Sequence, residues 1–231
     1  ACKTGQYAQC SNYNYFGSRC DGGFAEYLVV PVWNLVPFDD ALPYATAALC
    51  EPSAVSLHAV NIGNIKKGEK VAVVGTGTIG FLVAAFAKNL TDRIVICGRS
   101  ENKLSYAKKL GFEAVNLTDE HCREQILSIT GGDGFDVVFE AVGSSATIER
   151  SVDLAGTFGR IVLLGNPKGD LTMDKNIYWS VLRKQKTLMG SWNSSFNSSA
   201  NDWAVVVDWM KNSDFDFGQL ITHRFSMDEY E

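Results

Sequence analysis

From about Glu51 onward, two hydrophobic patterns alternate along the chain. Short apolar runs recur at "KVAVVG" (70–75), "RIVICG" (93–98), "EAVNL" (113–117), "FDVVFEAVG" (135–143), "GRIVLLGN" (159–166) and "KTLMGSW" (186–192). Their length and Val/Ile content predict strands. Between them lie segments with helical spacing: "EPSAVSLHAVNIGNI" (51–65), "TIGFLVAAFAKNL" (78–90), "ENKLSYAKKLG" (101–111), "EHCREQILSIT" (120–130), "ATIERSVDLAG" (146–156) and "NIYWSVLRKQ" (176–185). Pro52 near the start of the first marks a helix N-terminus. Strands that are apolar without alternation are covered on both faces, so the pattern predicts a doubly wound parallel α/β sheet. A polar loop (193–199) and the helix "NDWAVVVDWMKN" (201–212) follow, and a further helix is expected to begin in "ITHRFSMDEYE" (221–231), which makes the C-terminus read as truncated.

Residues 1–50 have a different texture, rich in Tyr, Asn, Gly and Phe. There "GSRCDGGFAEYLVVPVWNLVPF" (17–38) reads as short strands separated by glycine turns. A net charge of −5 and a pI near 5.3, with no basic run, exclude general attraction to nucleic acid or an anionic membrane. The longest apolar stretches, such as "FLVAAFA" (81–87), are too short to cross a bilayer, and no leader precedes them. A cytoplasmic protein is expected. Six cysteines, at positions 2, 10, 20, 50, 97 and 122, are spread too widely for a secreted disulfide framework and suit reduced thiols or metal ligation.

The first βα turn carries candidate chemistry. "KVAVVGTGTIG" supplies Gly75-x-Gly77-x-x-Gly80 where a strand hands over to a helix. Gly75 permits the tight turn, Gly77 lets the backbone approach a pyrophosphate, and Gly80 lets the helix pack on the sheet. With Thr76, Thr78 and Ile79 they present the free N–H groups and positive dipole end of a helix N-terminus to phosphate. At the end of the second strand, where an acid usually accepts from the adenosine ribose, the chain has Gly98-Arg99-Ser100, then Lys103. Without that carboxylate a 2′-phosphate is not repelled, and Arg99 offers it a forked cation. These residues favour NADP, with NAD as the alternative. Val142-Gly143 and Gly165-Asn166, at the carboxyl ends of the fourth and fifth strands, are candidates for the ribose and nicotinamide end.

"CDGGFAEYLVVP" (20–31), "ALCEPSAVSLHAV" (48–60) and "VAVVGTGTIG" (71–80) occur in an order and spacing that resemble the zinc-dependent medium-chain alcohol and polyol dehydrogenases. "FGSRCDGGFAEY" (16–27), "GSWNSSF" (190–196) and "ITHRFS" look most like the galactitol-1-phosphate dehydrogenase branch, close to the sorbitol dehydrogenases. The resemblance implies a β-rich GroES-like catalytic domain, present in part as residues 1–55, a Rossmann domain at 56–200, and a return toward the catalytic domain over 201–231. It implies a catalytic and a structural zinc. Cys2 and Cys10, with seven residues between them, match the last two cysteines of the structural lobe's C-x2-C-x2-C-x7-C pattern, whose first two would lie upstream of Ala1. Glu51, in Glu51-Pro52, matches the acid of the polyol branch's E-P motif, as a zinc ligand or a positioner of zinc-bound water; the Cys and His-Glu pair of the catalytic zinc would also precede Ala1. Cys50 reads as packing, and His58, His121 and His223 as structural.

For substrate, Phe16, Ser18 and Arg19, with Trp192 and Asn193, match segments that line the family's polyol cleft, and Arg19 is the candidate partner of a sugar phosphate. The implied reaction is hydride transfer between a polyol or polyol phosphate, such as galactitol 1-phosphate, and NADP or NAD. Sorbitol or threonine dehydrogenation, and a non-catalytic NADP(H)-binding module, are the alternatives. The family implies a homodimer or homotetramer. With most of the catalytic zinc shell outside it, the 231-residue chain is expected to bind a dinucleotide better than it oxidises an alcohol.

Overall fold

A computed structural model describes residues 1–229. It comprises two compact units: Val55–Trp192, and Ala1–Ala54 together with the chain from Asn193 onward. The chain passes from one to the other within a helix, α2 (Cys50–Gly63), which follows a single-turn helix, α1 (Tyr44–Ala47).

The unit from Val55 to Trp192 holds β1 (Val71–Val74), α3 (Thr78–Ala87), β2 (Ile94–Gly98), α4 (Glu101–Lys109), β3 (Glu113–Asn116), α5 (Cys122–Thr130), β4 (Phe135–Glu140), α6 (Ser145–Leu154), β5 (Ala155–Leu163), α7 (Lys175–Arg183) and β6 (Thr187–Gly190). All six strands run parallel in the order β3-β2-β1-β4-β5-β6, so the chain starts at the middle of the sheet and winds outward twice. That is the doubly wound architecture expected from the unbroken apolar runs. Every residue of β1 and β2 is buried, because helices cover both faces of the central strands. Branched side chains suit such positions, since their restricted χ1 costs little in an extended backbone. α3 is buried from Gly80 to Ala87, which explains why its sequence has almost no polar face.

Local signals set the ends of these elements. Ser144 caps α6 in a reciprocal capping box with Thr147, and Gly131 ends α5 in the left-handed region at φ +67°. β5 begins at Ala155, four residues before the apolar run that announces it, because it leaves α6 without a loop. Its early residues are irregular: the register shifts between Phe135 and Val137, and Phe158 takes φ +60°.

In the other unit, α8 (Asp202–Asn212) sets Trp209 edge-on against Phe217 at 5.2 Å, and Lys211 pairs with Asp39 at 2.6 Å. The short strands expected over 17–38 do not form; among the described residues this stretch holds one isolated bridge, Phe16 to Cys20, and a 3-10 turn at Val32–Asn34. A strand needs a partner's backbone, and none of the described residues supplies one, so Phe24, Tyr27 and Val29 stand exposed. Of the helix start expected near the end, Met227–Glu229 form a 3-10 turn, and residues 230–231 lie outside the described residues.

Lys186 is a buried cation, 7% exposed, between α7 and β6. Its Nζ donates to Val152 O at 2.6 Å and Ser180 Oγ at 3.4 Å, but burial, with repulsion from Lys184, lowers its pKa to about 8 against a pull from Asp153. The unfolded chain binds this proton up to a higher pH, so the cost of burying the charge is full below about 8 and fades as pH rises toward 10.5. Urea unfolding of wild type and Lys186→Met will therefore show wild type gaining about 1–2 kcal/mol on the variant between pH 7 and 10. A constant difference contradicts this.

Candidate functional site

The turn after β1 is built from backbone contacts that exclude side chains. Gly75 sits at φ +131° and donates its N–H to Cys97 O at 2.9 Å, tying the turn to β2. A Cβ on Gly80 would lie 2.1 Å from Gly75 O, so only glycine lets α3 come this close. Gly77, by contrast, has nothing within 4 Å of where its Cβ would be. The first intrahelical bond of α3 runs from Phe81 N–H to Gly77 O at 3.1 Å, which leaves the N–H groups of Thr78, Ile79 and Gly80 ahead of the helical ladder. Among the described residues no side chain caps them, and no acid lies in the first turn. This open, positively polarised helix start fits the pyrophosphate of a dinucleotide.

The carboxyl ends of β4 and β5 converge on the same edge. Gly143, at φ +84°, touches Gly165 so closely that a Cβ on Gly165 would fall 2.0 Å from Gly143 N. Val142 reaches back to the turn, its Cγ2 3.2 Å from the position a Gly75 Cβ would take. The two predicted pairs, Val142-Gly143 and Gly165-Asn166, are thus brought together beside the glycine turn, with Val142 and Asn166 exposed. Glu140 holds this arrangement: fully buried, its Oε1 accepts from the N–H groups of Val142 (3.0 Å) and Gly143 (2.9 Å). Its backbone oxygen accepts from Leu164 and Gly165. The signal for Glu140 in the sequence is an acid closing the apolar run Val137–Phe139.

At the end of β2, Gly98 packs against Thr76, whose Cγ2 would be 2.6 Å from a Cβ there. Arg99 and Lys103 are exposed and form no hydrogen bond or ion pair among the described residues. Ser100 precedes α4 without a capping bond, and the nearby acid, Glu101, already accepts from Asn116.

The remaining candidates lie in the other unit, apart from Trp192, which is 47% exposed. The Cys10 side chain beside it raises the pKa of the Cys2 thiol, and Cys2 in turn lowers that of Cys10. Among the described residues no third His, Cys, Asp or Glu joins a metal-binding cluster. Glu51, in the first turn of α2, keeps part of its surface in solvent while desolvation by its surroundings raises its pKa. Burial first, and then Glu51, push the Cys50 thiol up to about 11, so it is a protonated packing group whose Sγ lies 4.0 Å from Trp203 O. Arg19 donates to Tyr13 O at 2.9 Å and lies 5.7 Å from that ring's centre, while Asn193 donates to Tyr13 Oη at 2.5 Å. Two predicted substrate residues thus meet on Tyr13, which carries no sequence signal beyond the aromatic run "YNYF". Phe16 and Ser18 are exposed and outside this cluster. Of the histidines, His121 sits between Glu120 and Glu124 on the surface and His223 bonds Thr222.

A parallel sheet in this order, with a glycine turn at its switch point, defines a Rossmann-type dinucleotide-binding fold. The profile of the zinc-binding dehydrogenases matches residues 75–212, more than half the chain, and the chain belongs to that family. It is similar to galactitol 1-phosphate 5-dehydrogenase of Escherichia coli K12, with 32% identity over 99% of this chain and 67% of the relative. A crystal structure of galactitol-1-phosphate dehydrogenase from Escherichia coli superposes with a TM-score of 0.84 at 30% identity, over 92% of this chain and 62% of that one. An L-threonine 3-dehydrogenase of Deinococcus deserti is 32% identical over the whole chain and 65% of its own length. A structure from Sinorhizobium meliloti 1021, described as a zinc-binding dehydrogenase bound to NADP, has a TM-score of 0.86 at 27% identity over 99% of this chain and 66% of that one. The chain therefore spans about two thirds of the length of these relatives.

The two kinds of glycine separate in mutagenesis. Gly77→Ala has room and an extended backbone (φ −93°, ψ 179°), so it will change stability by less than about 1 kcal/mol, yet weaken NADP binding about tenfold or more by obstructing the phosphates. Gly80→Ala will cost more than about 2 kcal/mol, because its methyl meets backbone. Thermal unfolding and fluorescence titration with NADPH check both.

Proposed function

We propose that this protein is a zinc-dependent dehydrogenase that moves a hydride between a polyol or polyol phosphate, with galactitol 1-phosphate the leading candidate, and NADP. The open glycine turn beside an acid-free, cationic strand end carries the proposal, supported by the 32% identity to galactitol 1-phosphate 5-dehydrogenase. In this reading Val55–Trp192 carries the cofactor and the other unit serves the substrate and metal sites.

Thr78, Ile79 and Gly80 offer N–H groups to the pyrophosphate, and Arg99 and Lys103 pair with the 2′-phosphate. Val142-Gly143 and Gly165-Asn166, rigidified by Glu140, orient the nicotinamide end. Glu51 supplies one carboxylate to the catalytic metal, and Cys2 and Cys10 two thiolates to a structural one. A four-coordinate zinc needs further donors in each case. When bound, zinc favours loss of the substrate's hydroxyl proton and the nicotinamide accepts the hydride. Six free cysteines suit a reducing compartment, and we place the protein in the cytoplasm. β6 ends the sheet with an exposed edge, and Tyr178, Trp179 and Leu182 of α7 are exposed, which supports assembly of copies into a dimer or tetramer.

Threonine dehydrogenation is the second reading, favoured by the equal identity to L-threonine 3-dehydrogenase. Assays of the zinc-loaded protein with galactitol 1-phosphate, sorbitol and L-threonine, each with NADP and NAD, separate the readings. Oxidation of threonine alone refutes the polyol assignment, and oxidation of none leaves a nucleotide-binding module. Arg99→Ala will weaken NADP binding about tenfold, roughly 1.4 kcal/mol for a lost charge-assisted contact, and leave NAD nearly unchanged. Equal losses for both cofactors contradict the 2′-phosphate role.

A further inference from the structure

One chain of hydrogen bonds in the unit that contains Glu51 runs from an obligatory donor toward Tyr13. The Trp203 indole N–H can only donate, and it donates to Ser194 Oγ at 2.9 Å. The serine proton is then free for Asn193 Oδ1, 3.0 Å away. With its oxygen accepting, Asn193 turns its amide nitrogen to Tyr13 Oη and donates there at 2.5 Å. In this orientation the amide oxygen takes the serine proton and the amide nitrogen meets the phenol oxygen, so both neighbours are satisfied.

The consequence falls on Tyr13. Its oxygen already accepts, so its own O–H is the one donor left over at the end of the relay, and no acceptor for it is found among the described residues. Ser194, in the middle of the relay, is 8% exposed, which keeps water from scrambling the order. Asn193 is held at φ +58°, a left-handed backbone that asparagine tolerates better than most residues, as expected where a side chain must be aimed. Arg19 fixes the opposite end of Tyr13 through the backbone oxygen and the ring face. Partial burial, and at longer range Tyr15 and the Glu51 carboxylate, keep the phenol protonated despite the Asn193 bond.

We propose that Tyr13 is a specificity-determining residue whose O–H donates to an acceptor oxygen of the substrate, a hydroxyl or phosphate oxygen of a polyol or its phosphate ester, with Asn193, Ser194 and Trp203 as positioning residues that aim it. This rests on the polyol reading above. A site built around an aimed donor discriminates strongly against ligands that lack the matching acceptor.

The test is equilibrium binding of galactitol 1-phosphate and of sorbitol to the protein saturated with NADP, by isothermal titration calorimetry, for wild type, Tyr13→Phe and Trp203→Phe. Loss of one hydrogen bond will weaken polyol binding of Tyr13→Phe about three- to tenfold, with the Kd for NADP and the Tm unchanged. Trp203→Phe, which releases Ser194 and lets the amide turn, will weaken it by a smaller factor and again spare NADP. An equal loss for both ligands places the donor on a hydroxyl, and a loss confined to the phosphate ester places it on the phosphate. Unchanged polyol binding in Tyr13→Phe, or a loss matched by equal weakening of NADP, overturns the proposal while the polyol reading stands. Wild type that binds neither ligand refutes the polyol reading and the proposal with it.

Discussion

Gly80 lies against the carbonyl oxygen of Gly75 at a separation that a Cβ would reduce to 2.1 Å, and the nucleotide-binding edge depends on that contact. It lets a helix start directly above the end of the central strand, so its first N–H groups point into open space over the sheet. The same device recurs between the next two strands, β4 and β5, where Gly143 and Gly165 meet backbone to backbone. Both contacts lie at the carboxyl edge of a sheet whose order reverses between β1 and β4, which is where such sheets leave room for a ligand. The core beneath is ordinary close packing of branched and aromatic side chains, but the edge is made of backbone and needs side chains to be absent.

Electrostatics at this edge follow from which charges are already satisfied. Glu140 is buried with its carboxylate occupied by the N–H groups of Val142 and Gly143, so its charge braces a turn and is not offered outward. Glu101 is likewise engaged by Asn116. Arg99 and Lys103 are left facing solvent beside a helix start that is itself positive, and that combination suits an extended, multiply charged anion.

The sheet was legible in the sequence because its strands are buried on both faces and its helices carry local start and stop signals; period and composition then carry nearly all the information. Legibility ended where pairing becomes non-local. "FAEYLVV" has strand composition, yet no ladder forms in residues 17–38, because a strand is a property of two segments and composition describes one. β5 starts early for a related reason: Ala155 is recruited by the backbone of Phe135 in β4 and not by its own side chain. At the site, the glycines announced themselves by spacing and strand context. Glu140 and Tyr13 did not, since the first is defined by a turn it braces and the second by Asn193, which lies 180 positions away.

In this reading the backbone edge formed by Gly75–Gly80 and its neighbours is a dinucleotide cradle. Amide hydrogen exchange of this chain with and without NADP tests it most directly. Binding at the cradle will slow exchange at residues 75–80, 98–100 and 142–143 and leave the exposed stretch 17–38 unchanged. Unaltered exchange at 75–80 under saturating NADP would contradict the account.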